Sequence, residues 1–588
     1  MTKKVSEPYR GEVRGSKGSV FYRTHSYHTK VPPEGIVPFI EYYTDPGDTV
    51  VDPFCGSGMT GVAALQTGRH GILSDLSPAA VHIASNNTGL GAAEDIATAA
   101  RNMLAELQDL ETELYETVCT DCTCAARIEY TVWSDTLVCP SCGDEVLYWD
   151  AARAESGDLR KDLTCTNCGH QFRKTKAQVR PAQPVLVSVS CSSCKSRQQR
   201  PLTESEKQAA TLPRRERVSD WYPTSPLHSW REMWRGQHRD MGIATSADFF
   251  TDRNLQALAA AWRVAQQTCA PQAMRFAVTA IVNRASKRYQ WNPKRPTNVL
   301  SGTLYIASLT YEFNVMSLLR RKLRAVEQLA AATTPTAGTV TTHLASATNL
   351  EHIADHSVDY VFTDPPFGAN IYYSDASFLW EAWLDNFTDA TEEAVVSTSL
   401  KAENGGKTLD DYEKLMTESF GEIARILKPG AWASVMFHNS DDAVWSTIVR
   451  AIDAAGLCIE SAVAFDKSQP SFKGIKQITH SERVSSFDLV LQLREGVTNA
   501  EPRAQTRNRD DNEILRLLTE HLTTATPRQR TTPYLHSYVM RILLERGWPL
   551  TGLSYAGVED LLAHNFDLKN AAWALRSPLS EHTPGANP

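Results

Sequence analysis

The sequence of 588 residues lacks any run of about 18 consecutive apolar residues, the minimum for a helix that crosses a membrane. The residues after Met1 also lack the apolar stretch of a secretory signal, so we expect a cytoplasmic protein without membrane association. Its hydrophobic share of 42% and charged share of 22% are ordinary for globular proteins, which argues against a disordered or fibrous chain. The length predicts more than one domain.

The charge of the chain is unevenly distributed. A net charge of −8 would by itself argue against a nucleic-acid partner. Residues 151–330, however, contain 29 Lys and Arg against 13 Asp and Glu, so this segment carries +16 and the rest of the chain −24. Such asymmetry predicts a basic module that meets a polyanion, mounted on an acidic body.

A glycine-containing loop follows the first predicted strand, Thr49-Val-Val-Asp. The loop reads Pro53-Phe-Cys-Gly-Ser-Gly-Met-Thr, and the missing side chains at Gly56 and Gly58 would let the backbone approach a ligand. Asp75 ends the next predicted strand, a placement suited to a carboxylate that binds ribose hydroxyls. The loop lacks the Lys-Ser/Thr of a P-loop and the spacing of a dinucleotide fingerprint. The pattern therefore predicts cofactor binding and disfavours ATP and NAD.

A second loop, Thr363-Asp-Pro-Pro-Phe-Gly, directly follows a predicted buried strand. Its two prolines remove backbone donors and hold the chain extended, so the loop presents the Asp364 carboxylate, backbone carbonyls and the Phe367 ring. These groups suit the exocyclic amine of a nucleobase, which has two hydrogens to donate and a flat face to stack. Hydrogen bonds to Asp364 and to the Pro365 carbonyl would localise the nitrogen lone pair and raise its nucleophilicity toward an electrophilic methyl group.

Both loops resemble the motifs of the S-adenosylmethionine-dependent amino-methyltransferases that act on DNA bases. Residues 28–65 are similar to that family's cofactor segment, and stretches that start at Phe249, Ser301 and Tyr372 add to the resemblance. The chain looks closest to the bacterial adenine-specific DNA methylases that carry zinc ribbons between the two motifs. The resemblance implies a Rossmann-like methyltransferase fold, S-adenosyl-L-methionine as cofactor and double-stranded DNA as substrate.

The resemblance also assigns roles to individual residues. It implies a catalytic base pocket formed by Asp364, Pro365, Pro366 and Phe367. It implies cofactor contacts from Thr29, Asp52, Phe54, Gly56, Gly58, Asp75 and Ser346. At Ser346 the chain departs from the family, because Leu344-Ala-Ser-Ala-Thr lacks the Gly-Asp pair whose acid helps hold the adenine of the cofactor. Ser346 must serve this contact, or the contact is absent.

Several substrates remain open, and the sequence favours the N6 amine of adenine. Ring-carbon methylation of cytosine needs a cysteine nucleophile, usually in a Pro-Cys pair, and the chain has no such dipeptide. Among relatives, Asp at the first position of the second motif is commoner in adenine enzymes than in cytosine-N4 enzymes. Gly368 keeps an RNA base as an alternative, because RNA-guanine methyltransferases also use Asp-Pro-Pro-aromatic-Gly. A non-enzymatic zinc-ribbon protein that binds nucleic acid is the remaining interpretation, and the intact motifs argue against it.

Nine of the twelve cysteines lie between Cys119 and Cys194, mostly in Cys-x-x-Cys pairs. In a cytoplasmic protein this pattern favours metal over disulfides, and we predict two structural Zn²⁺ sites. The predicted ligands are Cys119, Cys122, Cys139, Cys142, Cys165, Cys168, Cys191 and Cys194. Pairing in chain order would place the first four on one ion and the last four on the other, with pairing across the ribbons as the alternative. Closed Cys₄ sites are structural, so we expect no catalysis from them.

Basic and aromatic residues alternate between Arg284 and Arg295. The cations would meet backbone phosphates, and the rings could stack on or beside an unstacked base. We therefore predict DNA contacts from Arg284, Lys287, Arg288, Tyr289, Trp291, Lys294 and Arg295.

The predicted fold class is α/β, with one methyltransferase sheet interrupted by an insertion. Residues 1–95 and 332–496 would form the two halves of the sheet. The Thr- and Ala-rich stretch from Thr333 to Thr342 is predicted as a linker before the second half.

The other three segments are predicted to lie outside the sheet. Residues 96–200 would hold a helix and two zinc ribbons, and residues 201–331 a basic helical insertion for DNA recognition. Residues 497–588 would be a linker and a small C-terminal helical domain. We find no cluster of acids like that of a nuclease, so a role in restriction–modification or phage defence would need a separate component.

Overall fold

The structure, a computed structural model, describes residues 5–11, 13–14, 18–154, 158–292, 303–333, 337–369, 371–439, 441–466, 487–496, 509–548 and 555–576. Across these ranges, no helix combines the length and the apolar character that crossing a bilayer requires. Lys294 and Arg295, two of the predicted DNA contacts, lie outside the described residues.

The strands are β1 (Val13–Arg14), β2 (Thr49–Asp52), β3 (His70–Asp75), β4 (Glu116–Val118), β5 (Ala125–Val138), β6 (Glu145–Leu147), β7 (Asp162–Thr164), β8 (Gln171–Arg173), β9 (Gln178–Ser190), β10 (Arg197–Arg200), β11 (Leu309–Phe313), β12 (Val340–Leu344), β13 (Val358–Thr363), β14 (Leu427–Phe437), β15 (Leu457–Asp466), β16 (Phe487–Glu495), β17 (Asp567–Lys569) and β18 (Ala572–Ala574).

The α-helices are α1 (Val20–Arg23), α2 (Pro33–Tyr43), α3 (Met59–Gln66), α4 (Pro78–Thr88), α5 (Ala93–Glu106), α6 (Gln108–Tyr115), α7 (Tyr148–Ala152), α8 (Glu204–Thr211), α9 (Gly236–Asp240), α10 (Asp252–Gln267), α11 (Pro271–Ala285), α12 (Val315–Ala332), α13 (Tyr373–Ala376), α14 (Phe378–Leu384), α15 (Leu409–Ile426), α16 (Asp442–Ala454), α17 (Asp511–Thr524), α18 (Thr532–Arg546) and α19 (Tyr555–Asn565). Short 3₁₀ turns cover Lys174–Lys176, Arg215–Arg217, Ser246–Phe249, Ala402–Asn404 and Pro527–Arg530.

A large, mostly parallel sheet forms the centre of the molecule. Its strand order is β1-β15-β16-β14-β13-β2-β3-β12. Strand β16 runs antiparallel to both of its neighbours, and the other neighbouring pairs are parallel. The predicted α/β class with a large parallel sheet is therefore confirmed.

The sheet is covered by hydrophobic residues on both faces. Every residue of β13 is buried, and its side chains alternate between two clusters. Tyr360 and Phe362 belong to the cluster that includes Phe39 of α2, whereas Val361 belongs to the cluster that includes Phe420 of α15. Because neighbouring side chains on a strand point to opposite faces, this partition places helices on both sides of the sheet.

An antiparallel sheet is formed by residues that the sequence inserts between the two halves of the parallel one. Strands β5 and β9 form its long central pair, flanked by β10 and β11, and the short strands β4 and β6 also pair with β5. The sequence predicts the zinc ribbons and the basic helical insertion as separate segments. The structure joins them, since β11 pairs with β5 from Leu309 to Phe313.

The C-terminal helices pack on the central sheet. The sequence predicts a small helical domain of its own here. In the structure, Leu535, Val539 and Leu543 of α18 share one hydrophobic cluster with Leu491 and Leu493 of β16. The described C-terminal residues therefore extend the core of the sheet, and the short hairpin β17–β18 follows them.

Candidate functional site

Three neighbouring parallel strands bring three carboxylates to one edge of the central sheet. Asp52 ends β2, Asp75 ends β3, and Asp364 directly follows β13. Strand β2 lies between the other two. Since the carboxyl ends of adjacent parallel strands share an edge, residues from distant parts of the sequence meet there, at the position where open α/β sheets bind ligands.

A cleft opens at this edge of the sheet. The predicted cofactor residues in its lining are Thr29, Asp52, Phe54, Gly56, Asp75 and Ser346. The loop that follows β13, with the predicted catalytic residues, is called the catalytic loop below. It contributes Asp364 and Pro366 to the same lining, whereas Gly58, Pro365 and Phe367 do not belong to it. The structure thus brings the two sequence motifs together around one cavity.

The glycine loop has a backbone that side chains would disturb. Gly58 has φ +77°, and a Cβ atom built on it would lie 2.7 Å from the Cβ of Ala84 in α4. Gly58 is also the residue that precedes α3. The sequence predicts that this glycine lets the backbone approach a ligand; in the structure, its missing side chain lets α3 approach α4. Gly56, at φ +49°, is the glycine that faces the cleft.

Asp52 connects the glycine loop to β13 through hydrogen bonds. It is 4% exposed and accepts hydrogen bonds from the hydroxyls of Thr60 and Thr363, each at 2.7 Å. The backbone N–H of Phe54 donates a third, at 3.1 Å. Burial raises the pKa of Asp52 to about 6, although these three bonds favour its charged form.

Asp75 holds the start of the glycine turn. Its carboxylate accepts from the backbone N–H of Gly56 at 2.8 Å and from that of Ser77 at 2.9 Å. Burial raises the pKa of Asp75 to about 6. A carboxylate of this kind, in the cleft and next to the glycine turn, can accept hydrogen bonds from two neighbouring hydroxyls of a ribose.

The catalytic loop is held by side chains from two other elements. The Tyr412 hydroxyl donates to the Pro366 carbonyl at 2.6 Å, and the Asn439 amide donates to the Phe367 carbonyl at 3.0 Å. The ring of Phe367 packs edge-to-face on Phe437, with centroids 5.1 Å apart. The later carbonyls of the loop are therefore engaged by the protein, while Asp364 lines the cleft.

Most residues of the cleft lining have no assigned role in the sequence-based prediction. Among them are Tyr27, Lys30, Tyr373 and Glu393. The Tyr373 hydroxyl lies 3.3 Å from the Thr29 hydroxyl, and Glu393 accepts from the backbone N–H of Ser374 at 3.3 Å, so this acid holds the start of α13. Burial raises the pKa of Glu393. Tyr373 lies in a stretch that contributed to the family resemblance, but no sequence signal distinguished Glu393 from other acids.

The predicted DNA-contact residues are mostly buried in this conformation. Arg288, Tyr289 and Trp291 are 3%, 5% and 8% exposed. Arg288 donates to the side chain of Asn283 at 2.7 Å, and the two rings pack in a hydrophobic cluster with β5 and β11. Their packing is structural here, so DNA contact by these three stays a prediction.

Arg284 and Lys287 are less deeply buried than their neighbours. The guanidinium of Arg284 lies over the rings of Tyr289 and Phe313. Lys287 Nζ donates to the Asp248 carbonyl at 2.9 Å. Arg284 also lines an open groove, which is described below.

The eight predicted zinc ligands form two groups of four. Cys119 and Cys122 lie with Cys191 and Cys194, and the other group is Cys139, Cys142, Cys165 and Cys168. The structure thus has the pairing across the ribbons rather than the pairing in chain order. The cause is the ladder of β5 with β9, which brings the two outer pairs together at one end and the two inner pairs at the other.

The geometry of both groups suits a tetrahedral ion. Sulfur–sulfur distances across the pairs are 3.7 and 3.6 Å in the outer group and 3.8 and 3.7 Å in the inner group. Four thiolates at the usual Zn–S distance of about 2.3 Å would be about 3.8 Å apart. Both groups could therefore hold Zn²⁺ with little movement.

Comparison with known proteins gives three partial matches. A family model described as DNA methylase matches residues 5–86. The chain is 49% identical over 49 residues to a protein from Escherichia coli (strain K12) that is named as a methylase, YubD. It is 34% identical over 76 residues to the ribosomal protein L11 methyltransferase of Geobacillus thermodenitrificans (strain NG80-2).

The two relatives match only a small part of this chain, and this chain matches only a small part of each relative. The matches cover 8% and 13% of this chain, and 22% and 24% of YubD and of the L11 methyltransferase. The chain thus matches about a quarter of the length of either relative. Together with the parallel sheet, the matches support a methyltransferase related to the DNA methylases.

Proposed function

We propose that the protein is a DNA methyltransferase that transfers a methyl group from S-adenosyl-L-methionine to the N6 amine of an adenine flipped out of the duplex. The observation that carries this proposal is the shared cleft. The glycine turn with Asp75 and the catalytic loop with Asp364 line one cavity, although they are far apart in the sequence. A cofactor over the turn and a base beside Asp364 would then meet inside it.

The cofactor's nucleoside half fits the lining of the cleft. Gly56 lines the cleft, where its missing side chain leaves space for the ring of Tyr27, and Asp75 offers two acceptor oxygens for ribose hydroxyls. Ser346 also lines the cleft, with its hydroxyl 2.8 Å from that of Thr348, and we assign it the contact with the adenine of the cofactor. When bound, S-adenosylmethionine supplies a methyl carbon made electrophilic by its sulfonium centre, and transfer leaves the electron pair of the broken bond on sulfur.

The chain's contribution to the transfer is to orient and polarise the amine. Tyr412 and Asn439 donate to the carbonyls of Pro366 and Phe367 and so hold the loop, and we assign the amine to the Asp364 carboxylate in the cleft lining and to the carbonyl of the next residue, Pro365. Two hydrogen bonds from the amine to these oxygens hold the nitrogen lone pair away from the ring. Asp364 is also placed to receive the proton that the amine releases. This direct transfer requires no covalent intermediate between the enzyme and the base.

The two cysteine groups are proposed to hold structural Zn²⁺. Each would fix one end of the β5–β9 ladder, and neither leaves a ligand position for a substrate. Their role in this proposal is to keep the antiparallel sheet rigid beside the DNA.

A transfer assay tests the proposal. The zinc-loaded full chain is incubated with S-adenosylmethionine that carries a labelled methyl group and with unmethylated duplex DNA. Label in DNA, recovered as N6-methyladenine after digestion to nucleosides, supports it. N4-methylcytosine would overturn the choice of base, label in RNA alone would overturn the choice of nucleic acid, and no label in either would overturn the activity.

A further inference from the structure

An open groove runs along the antiparallel sheet and carries a concentration of arginines. We call it the arginine groove, and the arginines that line it are Arg127, Arg197, Arg284, Arg320, Arg321 and Arg324. One wall comes from β5, β9 and β10, and the other from α12 and the end of α11. Its lining contains a single acid, Glu129.

Most of these arginines are not neutralised by the protein itself. Arg127 pairs with Glu129 at 2.9 Å, and Arg320 pairs with Glu111 outside the groove. Within the part of the chain that the structure describes, Arg197, Arg284, Arg321 and Arg324 form no ion pair. Three of these four, all but Arg284, are exposed. An excess of free cations in a concave surface attracts a polyanion.

The cations also repel one another. Burial and the neighbouring charge of Arg284 lower the pKa of Arg321. Burial, Arg284 and Arg321 together lower the pKa of Lys322, on the same helix, to about 8. A bound polyanion would relieve this repulsion, which gives the groove a physical reason to prefer an occupied state.

A short segment of the chain connects the helix of the groove with the cleft. Lys322 Nζ donates to the carbonyls of Thr24 and Arg23, at 2.7 and 3.2 Å. Lys30 Nζ donates to the carbonyls of His25 and Tyr22 on the same short segment, at 2.6 and 3.2 Å, and Lys30 lines the cleft. Residues 22–30 therefore connect the basic face of α12 with the wall of the candidate active site.

The other end of the groove reaches the outer cysteine group. Ser190 lines the groove and is followed directly by Cys191, and Arg197 lies three residues after Cys194. A neighbouring groove shares Arg127, Arg197 and Arg320 and continues to Lys195. A metal ion in the outer group would fix the wall that carries Arg197.

From this arrangement we propose that the arginine groove binds the phosphate backbone of the duplex that flanks the target base. The inference rests on the proposed function, because it places the polyanion beside the helix that residues 22–30 connect to the cleft. It assigns the DNA interface to cations that no sequence motif singled out. It also keeps Arg284 in that interface, while Tyr289 and Trp291 serve as packing beneath it.

A salt titration with a matched control tests the inference. The test variant is Arg197→Ala/Arg321→Ala/Arg324→Ala, because all three side chains are exposed and form no ion pair with a described residue, so folding should be little affected. The control is Arg101→Ala/Lys176→Ala/Arg217→Ala, which removes the same charge from exposed sites outside the groove that likewise form no ion pair with a described residue. Anisotropy of a labelled duplex gives the affinity at several salt concentrations. Calorimetry with S-adenosylhomocysteine reports the integrity of the cleft.

The test variant should bind duplex at least about tenfold more weakly at low salt than the wild type. Its slope of log K against log[salt] should be smaller by about 3, since each phosphate contact contributes about 0.9. The control should keep the wild-type slope, and both variants should bind S-adenosylhomocysteine normally. Equal slopes for test variant and wild type, an equal loss in the control, or a wild type that does not bind duplex would overturn the inference.

The failure of the proposed function has a different signature. If the wild type methylates no DNA but the groove variant still loses its salt-dependent duplex affinity, the groove inference stands and the proposed activity fails. If competition shows that RNA or an acidic peptide displaces duplex at equal or lower concentration, the assignment of the groove to DNA fails, whatever the activity.

Discussion

The hydroxyl of Thr363 donates a 2.7 Å hydrogen bond to Asp52, although the two residues are 311 positions apart in the sequence. Thr363 is the last residue of β13, and Asp52 is the last residue of β2. The bond therefore joins the catalytic loop to the glycine loop at the point where both leave the sheet. The alignment of the two motifs depends on this buried contact as well as on strand pairing.

Replacement of Thr363 by valine should loosen this junction. Thr363→Val keeps the shape of the side chain but removes the donor, so the buried Asp52 loses one of its three partners. We expect the free energy of unfolding to fall by about 1–3 kcal/mol and cofactor affinity to fall with it. Chemical unfolding and calorimetry measure the two effects. Thr417→Val is the control, since Thr417 bonds only within α15, to the Glu413 carbonyl, and a matching loss there would contradict the prediction.

Asp364→Ala should remove methyl transfer and leave cofactor binding intact. The carboxylate is proposed to hold the amine, so its loss should lower kcat by a factor of about 10² or more. Single-turnover transfer and S-adenosylhomocysteine calorimetry separate chemistry from binding. Asp410→Ala, an exposed carboxylate outside the cleft lining, should behave like the wild type. Undiminished turnover in Asp364→Ala would rule out the catalytic assignment.

Two glycine substitutions separate backbone strain from crowding. Gly58→Ala would place a Cβ 2.7 Å from Ala84, whereas Gly47→Ala, at φ +90°, would meet no atom within 4 Å. In both variants the left-handed backbone should lower the free energy of unfolding by about 1–2 kcal/mol. Only Gly58→Ala should also push α3 away from α4 and weaken cofactor binding. Thermal unfolding and calorimetry of both variants provide the measurement. Equal behaviour of the two would show that the contact with Ala84 is unimportant.

Cofactor affinity should rise with pH between about 5 and 7. Burial raises the pKa of Asp75 to about 6 in the free protein, so this group is mostly protonated at pH 5. Ribose hydroxyls and the positive sulfonium favour the carboxylate, so binding releases a proton below pH 6 and the affinity levels off above it. The gain is at most about tenfold per pH unit for one group. Calorimetry across this range checks the slope, and Asp75→Asn should flatten it; an unchanged slope in that variant speaks against the assignment.

A pair of cysteine variants distinguishes the two possible zinc pairings. Cys119→Ser/Cys191→Ser removes two ligands of the outer group only, so one Zn²⁺ per chain should remain. With pairing in chain order, the same variant would damage both sites and leave less than one. Metal analysis of the purified chains gives the answer. Cys124→Ser should keep two ions, because Cys124 belongs to neither group.

The parts of the fold predicted correctly from the sequence are those with a local signal. The strand Thr49–Asp52 and the buried strand before Asp364 are short β-branched or apolar runs next to a distinctive loop, and both occur as predicted. Strand β12 instead begins inside the stretch Thr333 to Thr342, which the sequence predicts as a linker. Its residues Val340–Leu344 are half-exposed at the sheet edge and rich in threonine, so they show no apolar alternation. Threonine nonetheless favours strands because of its branched side chain.

Long-range pairing explains the remaining differences between prediction and structure. The spacing of the cysteines alone fits either zinc pairing, and the choice depends on the register of β5 with β9. Likewise, the alternation of cations with Tyr289 and Trp291 looks like a binding surface in the sequence. Their burial follows from β11, which pairs with β5 and covers the two rings. None of these contacts is encoded within a short window of residues.

The neighbouring positions of β3 and β12 bear on how the chain folds during synthesis. Strand β3 ends at Asp75, and its partner β12 begins at Val340. The ribosome therefore synthesises all strands of the antiparallel sheet after β3 and before β12. Until then, one edge of β3 has no native partner, and such edges pair readily with other chains. We expect early folding of the intervening segment to bring β12 to β3, which would shorten the time for which nascent β3 is open to aggregation.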